Sequence, residues 1–160
     1  MKVSQINLPK SAIEFLHILG YETLYPPQED SIKAGLLEGK NILVSTPTAS
    51  GKTLIAIFAI LHHLFQKKGK IVYLSPLKAL ASEKFSEFKK LESLDFGRKV
   101  RVQISTGDFD LNDNNLEKSD IIVATNEKMD SVIRHGAEWI DDITLVIADE
   151  VHLLGDIERG

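Results

Sequence analysis

Short apolar runs alternating with helical stretches predict an α/β domain, with a parallel, doubly wound sheet and helices on both faces. Three observations carry this expectation. Apolar runs recur at Asn41–Ser45, Ile71–Leu74, Val100–Ile104, Asp120–Ala124 and Ile143–Ala148, each of strand length. The stretches between them carry helical patterns, and the one after Thr53 is apolar nearly all round, as burial against a sheet requires. A loop of small residues, Thr46-Pro-Thr-Ala-Ser-Gly-Lys-Thr53, joins the first run to that helix.

Composition sets the outer bounds. The chain has 160 residues, enough for one domain with a real core. It has no cysteine, which excludes a disulfide framework and a cysteine-based zinc site. The absence fits a reducing, cytoplasmic setting. No apolar run approaches a membrane span, and Met1-Lys-Val-Ser-Gln5 lacks a signal-peptide core. The net charge is −4, so any nucleic acid would be held by local contacts rather than a bulk positive field.

In order along the chain, residues 1–25 form a lead-in segment whose helical pattern, Ala12–Leu19, ends at Gly20. Tyr25-Pro-Pro-Gln28 opens a second helix, with proline suited to its first turn. That helix is expected to run through Leu36 and Leu37 to Gly39. The amide of Gln28 offers both a donor and an acceptor, as recognition of an adenine edge would need; a solvated helix-start glutamine is the plainer alternative.

The first strand, Asn41–Ser45, leads into the small-residue loop. There Thr46, Ala49, Ser50 and Gly51 would let consecutive backbone N–H groups curl around phosphate oxygens. The N-terminus of the following helix adds unsatisfied donors and partial positive charge. Lys52 supplies a cation for the terminal phosphates, and Thr53 a hydroxyl for Mg²⁺. Thr46 stands where the usual phosphate-loop pattern has glycine, whereas Gly51-Lys-Thr53 is intact.

Lys67-Lys-Gly-Lys70 reads as a solvated turn. A helix after Ser75-Pro76 places Phe85, Phe88 and Leu91 on one side. The polar segment 109–118 reads as loop with a short helical turn. Thr125-Asn-Glu-Lys128 caps a helix stopped by Gly136. Asp149-Glu-Val-His152 follows the last strand, with an acid at the tip of a buried run, where a carboxylate can hold Mg²⁺ directly or through water. Glu150 can then orient or deprotonate an attacking water. In an open parallel sheet, ligands bind beyond the carboxyl ends of the strands. The phosphate loop, Ser75-Pro76, Thr106-Gly107, Thr125-Asn126 and Asp149-Glu150 all fall there.

Together these elements resemble superfamily 2 helicases of the DExH type, over essentially the whole chain. Tyr25-Pro-Pro-Gln28 resembles the glutamine motif, and Thr46–Thr53 resembles motif I. Pro76–Ala81, Thr106-Gly-Asp108 and Ala124–Lys128 resemble successive nucleic-acid motifs, and Asp149–His152 resembles motif II. Leu153-Leu-Gly-Asp156 and Arg159-Gly160 resemble the Ski-like branch, within which the likeness is to the archaeal Hjm-type DNA helicases that unwind forked and branched DNA. The resemblance implies one RecA-like P-loop NTPase domain over residues 1–160, using ATP and Mg²⁺. It implies that Gln28 reads adenine and that Gly51, Lys52 and Thr53 hold phosphates and metal. Asp149 would bind Mg²⁺ and Glu150 would position water. By its place two residues further on, His152 could couple the site to another domain through a hydrogen bond, or equally be a polar residue after a strand. Pro76, Lys78, Thr106, Gly107 and Thr125 would line one strand of single-stranded or branched DNA.

The same resemblance places motif III and the second motor domain of the parent chain beyond Gly160. This stretch alone is therefore expected to bind nucleotide weakly and hydrolyse it poorly or not at all. Alternatives are the motor domain of an RNA helicase or duplex translocase, or a non-catalytic nucleotide-binding module.

Overall fold

A computed structural model describes residues 1–47, 50–107 and 113–155, with only the backbone given at 113, 114, 154 and 155. Ala49, Asp108, Asp156, Arg159 and Gly160 lie outside the described residues. The chain forms two compact units, Met1–Lys67 and Lys68–Gly160.

The first unit is helical. Helix α1 (Lys10–Ile18) buries Ala12, Phe15 and Leu16 and stops before Gly20, whose φ of +88° suits a residue without Cβ. Helix α2 (Pro26–Lys33) starts on the prolines, as expected, and is shorter than expected. Gly35, at φ +104°, breaks it, and Leu36–Glu38 form a separate 3₁₀ turn before Gly39. Helix α3 (Lys52–Phe65) buries Leu54–Phe58, Ile60, Leu61, His63 and Leu64, which accounts for its all-round apolar sequence.

The expected strand Asn41–Ser45 does not form in this structure. Residues 41–47 have no strand pairing, and Leu43 is 81% exposed. Ile42 and Val44 are half-buried while their neighbours are exposed, so the apolar run that predicted a strand keeps a strand-like alternation of burial. Alternation records which side chains face inward, but a strand also needs a partner for its N–H and C=O groups.

The second unit carries a four-stranded parallel sheet in the order β2-β3-β1-β4. Its strands are β1 (Lys70–Ser75), β2 (Val102–Ser105), β3 (Ile121–Thr125) and β4 (Ile143–Ala148). Lys70 therefore belongs to β1 and is only 7% exposed, not part of a solvated turn. Central strands β1 and β3 are covered on both faces, which is why both read as continuous apolar runs.

Helix α4 (Lys78–Lys89) packs on β1, β2 and β3, and the Phe88 ring meets Tyr73 of β1 edge-on, with centroids 5.0 Å apart. Helix α6 (Asn126–Arg134) covers the other face, where Met129 and Val132 pack with Val72, Ile122, Ala124 and Trp139. A short helix, α5 (Asp113–Glu117), precedes β3. Outer strand β4 alternates half-buried and exposed residues, with Val146 55% exposed.

Parallel strands put all their carboxyl ends on one edge. Register pairs Ser75 with Thr125, Ser105 with Ala124, and Leu74 with Ala148. Thr106-Gly107, Pro76 and Asn126 thus continue from one sheet edge, as does Asp149.

Candidate nucleotide and nucleic-acid site

The described residues of the expected phosphate loop, 46, 47 and 50–53, lie in the first unit. Gly51 occupies the position before α3 at φ +80°, a conformation that costs an L-residue energy through Cβ crowding. Space imposes a second requirement: a Cβ on Gly51 would lie 2.2 Å from Nε2 of Gln28. Lys52 curls back over the loop, its ammonium donating to the carbonyls of Thr46 at 2.9 Å and Pro47 at 3.2 Å. The hydroxyls of Thr46 and Ser50 lie 2.6 Å apart and tie the two limbs of the loop together. The loop thus presents a charged donor held by neutral backbone carbonyls. A phosphate group would compete for that donor with oxygens that carry charge themselves. Thr53 lies half-buried in the first turn of α3.

Gln28 is not a solvated helix-start residue: it is 2% exposed. Its Oε1 accepts from the Tyr25 N–H at 2.8 Å and so caps α2. Its Nε2 donates to the Gly51 carbonyl at 3.2 Å. One side chain therefore links the start of α2 to the turn that opens α3. A second amide hydrogen and a second oxygen lone pair are left for a ligand.

The second unit holds the acidic tip. The Asp149 N–H donates to Leu74 O at 2.9 Å, carrying the β1–β4 ladder one residue past β4. The Asp149 carboxylate accepts twice, from the Tyr73 hydroxyl at 2.6 Å and from the Glu150 N–H at 2.9 Å. Glu150 has φ +50°, in the left-handed region that non-glycine residues rarely occupy. Its carboxylate lies 3.3 Å from the exposed His152 ring. Burial first, then the hydrogen bond to Asp149, push the Tyr73 hydroxyl well above the usual tyrosine range, so it acts as a donor.

Around this edge Pro76 and Thr125 are buried, Thr106 and Gly107 half-buried, and Lys78 exposed at the start of α4. Thr125 caps α6 by accepting from the Lys128 N–H at 3.3 Å. The structure thus gathers Gln28, Thr46, Ser50, Gly51 and Lys52 in one unit. It gathers Asp149, Glu150 and His152 in the other.

Sequence reasoning missed Tyr73. Its signal was available: a tyrosine inside a strand buried on both faces needs a partner for its hydroxyl, and an acid closes the neighbouring strand.

Comparison with known proteins places these elements in a family context. Residues 25–160 match the DEAD/DEAH box helicase family. The chain is 51% identical over 160 residues to the ATP-dependent DNA helicase Hel308 of Pyrococcus abyssi. It is 50% identical over 160 residues to that of Thermococcus kodakarensis, and 50% over 163 to that of Methanocella arvoryzae. Each alignment covers 100% of this chain but only 22%, 14% and 22% of those relatives respectively. The fold also matches the crystal structure of the DUF1998 helicase MrfA, with a TM-score of 0.77 and 24% identity, over 91% of this chain and 24% of that one.

Proposed function

Because the chain belongs to the DEAD/DEAH box helicase family, we propose that it is the first motor domain of an ATP-dependent DNA helicase acting on forked or branched DNA. The observation that carries this reading is identity of about one residue in two, along the whole chain, with archaeal proteins named ATP-dependent DNA helicases. In this reading residues 1–160 form one RecA-like ATP-binding domain, working in the cytoplasm against a second motor domain of the same parent chain. Among the described residues, no helix is long and apolar enough to cross a membrane.

The donor set fits nucleotide and Mg²⁺. Thr53 in the first unit and Asp149 in the second each carry a hard oxygen donor of the kind Mg²⁺ takes. Among the described residues no cluster of three or more His, Cys, Asp or Glu could cage a metal alone. Mg²⁺ takes one or two protein ligands and leans on phosphates and water. When bound, Mg²⁺ would neutralise phosphate charge.

The chain's own residues do the rest. Lys52 exchanges its two loop carbonyls for phosphate oxygens. Gly51 leaves its neighbours' N–H groups free to approach them. Gln28 reads the adenine edge with its remaining donor and acceptor while holding Gly51. Glu150 orients the attacking water, and His152, paired with Glu150, couples hydrolysis to the neighbouring domain. Pro76, Lys78, Thr106, Gly107 and Thr125 track one DNA strand mainly through its phosphates.

The test is ADP binding and ATP turnover by this chain, with and without single-stranded DNA, beside Lys52→Ala. Loss of the charge-assisted contacts predicts binding about 10- to 100-fold weaker in the variant. Turnover is expected to be negligible without the second motor domain, whose arginine finger alone is worth about 10³-fold or more. Equal binding by wild type and Lys52→Ala would overturn the reading.

A further inference from the structure

We infer that Tyr73 is a positioning residue for Asp149, fixing the carboxylate in the orientation that the metal site requires. The inference rests on the proposed role of Asp149 as a Mg²⁺ ligand.

The geometry follows from the sheet. Tyr73 pairs in register with Ile147, so Asp149, two residues further along, stands diagonally across from it on the same face. An aromatic side chain spans that diagonal. Tyr73 is 2% exposed, and its ring is set edge-on against Phe88 at an interplanar angle of 70°. The hydroxyl has little freedom to be elsewhere, and it donates to Asp149 Oδ2 at 2.6 Å. That is the distance of a strong O–H···O⁻ bond. The Glu150 N–H takes Oδ1 at 2.9 Å.

A carboxylate has about four lone-pair sites. The two internal donors use two of them and fix which two face outward. Without the tyrosine hydroxyl, one end of the carboxylate loses its tether and rotates about χ2, whose well is broad. Partners of this kind, removed behind a metal ligand, typically cost about 10- to 100-fold in metal affinity.

The decisive variant is Tyr73→Phe, which keeps the ring and its packing on Phe88 and removes one oxygen. ADP binding is titrated without divalent metal and then across a range of Mg²⁺ concentrations, beside Asp149→Asn. The crystal structure of the variant is read for the Asp149 rotamer. We expect metal-free ADP binding to match wild type and the Mg²⁺ needed for half-maximal effect to rise about tenfold. The Asp149 carboxylate should leave its wild-type rotamer. An unchanged Mg²⁺ requirement in Tyr73→Phe, with a raised one in Asp149→Asn, overturns the positioning role and leaves the metal site standing. No effect in either variant overturns the metal role of Asp149 as well. A carboxylate unmoved in the Tyr73→Phe crystal overturns the positioning role without reference to ligand.

Discussion

Replacing Lys70 by methionine should destabilise the second unit far more than removing any lysine from the adjacent turn. Lys70 opens β1, and its ammonium is folded inward against the end of α5. It donates to Ser119 O at 2.7 Å, to Glu117 O at still closer range, and weakly to Leu116 O at 3.3 Å. Two effects oppose. Burial of the ammonium is unfavourable and is the main reason its pKa is lowered, with Asp142, Asp120 and Glu117 acting the other way. Charge-assisted hydrogen bonds favour the folded state by about 1.5–3 kcal/mol each.

Methionine restores the apolar stem and removes the buried charge, but it strands the carbonyls at a cost of about 1–3 kcal/mol for each that water cannot reach. Counting the two close acceptors, and allowing water some access to exposed Glu117, the expected loss is about 2–4 kcal/mol. Helix α5 has only five residues and cannot stand without such a pin. The assay is urea unfolding beside Lys68→Met, whose side chain is exposed and whose loss should stay within about 0.5 kcal/mol.

The pH dependence adds a second handle. With a lowered folded-state pKa, the folded chain binds fewer protons than the unfolded chain between that value and the ordinary 10.5. Wild type should therefore gain on Lys70→Met as pH rises through that window, and the gap should be flat below it. A Lys70→Met chain as stable as Lys68→Met at neutral pH would refute the reasoning.

Two further outcomes follow from the first unit. Gly51→Ala should lose about 1–2 kcal/mol from its left-handed backbone alone, and should weaken ADP binding because its Cβ meets Gln28 Nε2; ADP titration and urea unfolding check both. Glu29 is held down to about 2 from 4.5, first by the hydrogen bond from Lys33 at 2.6 Å and then by the amino terminus at 2.5 Å. The folded chain thus binds fewer protons than the unfolded one between those values, and this stabilisation is whole above pH 4.5 and lost as pH falls toward 2. Glu29→Gln should remove that acid-dependent difference, as measured by thermal unfolding across the range.

The sequence by itself determined the parallel α/β class, the placement of four of the five expected strands and the position of Pro76, Thr106-Gly107, Asn126 and Asp149 at the carboxyl edge of the sheet. Glycine and the Lys-Thr pair at the head of an apolar helix, and acids after an apolar strand, are local patterns with local causes. Helix starts were equally legible: Pro26 at α2 and Thr125 at α6 act within a turn of their own position.

What only the tertiary structure decided involves partners distant in the chain. Asn41–Ser45 has an apolar run of strand length, yet pairing depends on a neighbour that its own residues do not specify. Lys70 looks like the last residue of a solvated turn until carbonyls 46 to 49 positions away close on it. Gln28 was singled out for its amide chemistry, but its bond to Gly51 spans 23 residues. Tyr73 meets Asp149 across 76 residues because β1 and β4, far apart in the chain, lie side by side in the sheet. Periodicity and capping are fixed by the nearest few residues, whereas a buried hydrogen bond is fixed by whichever chain segment the packing of the core brings alongside.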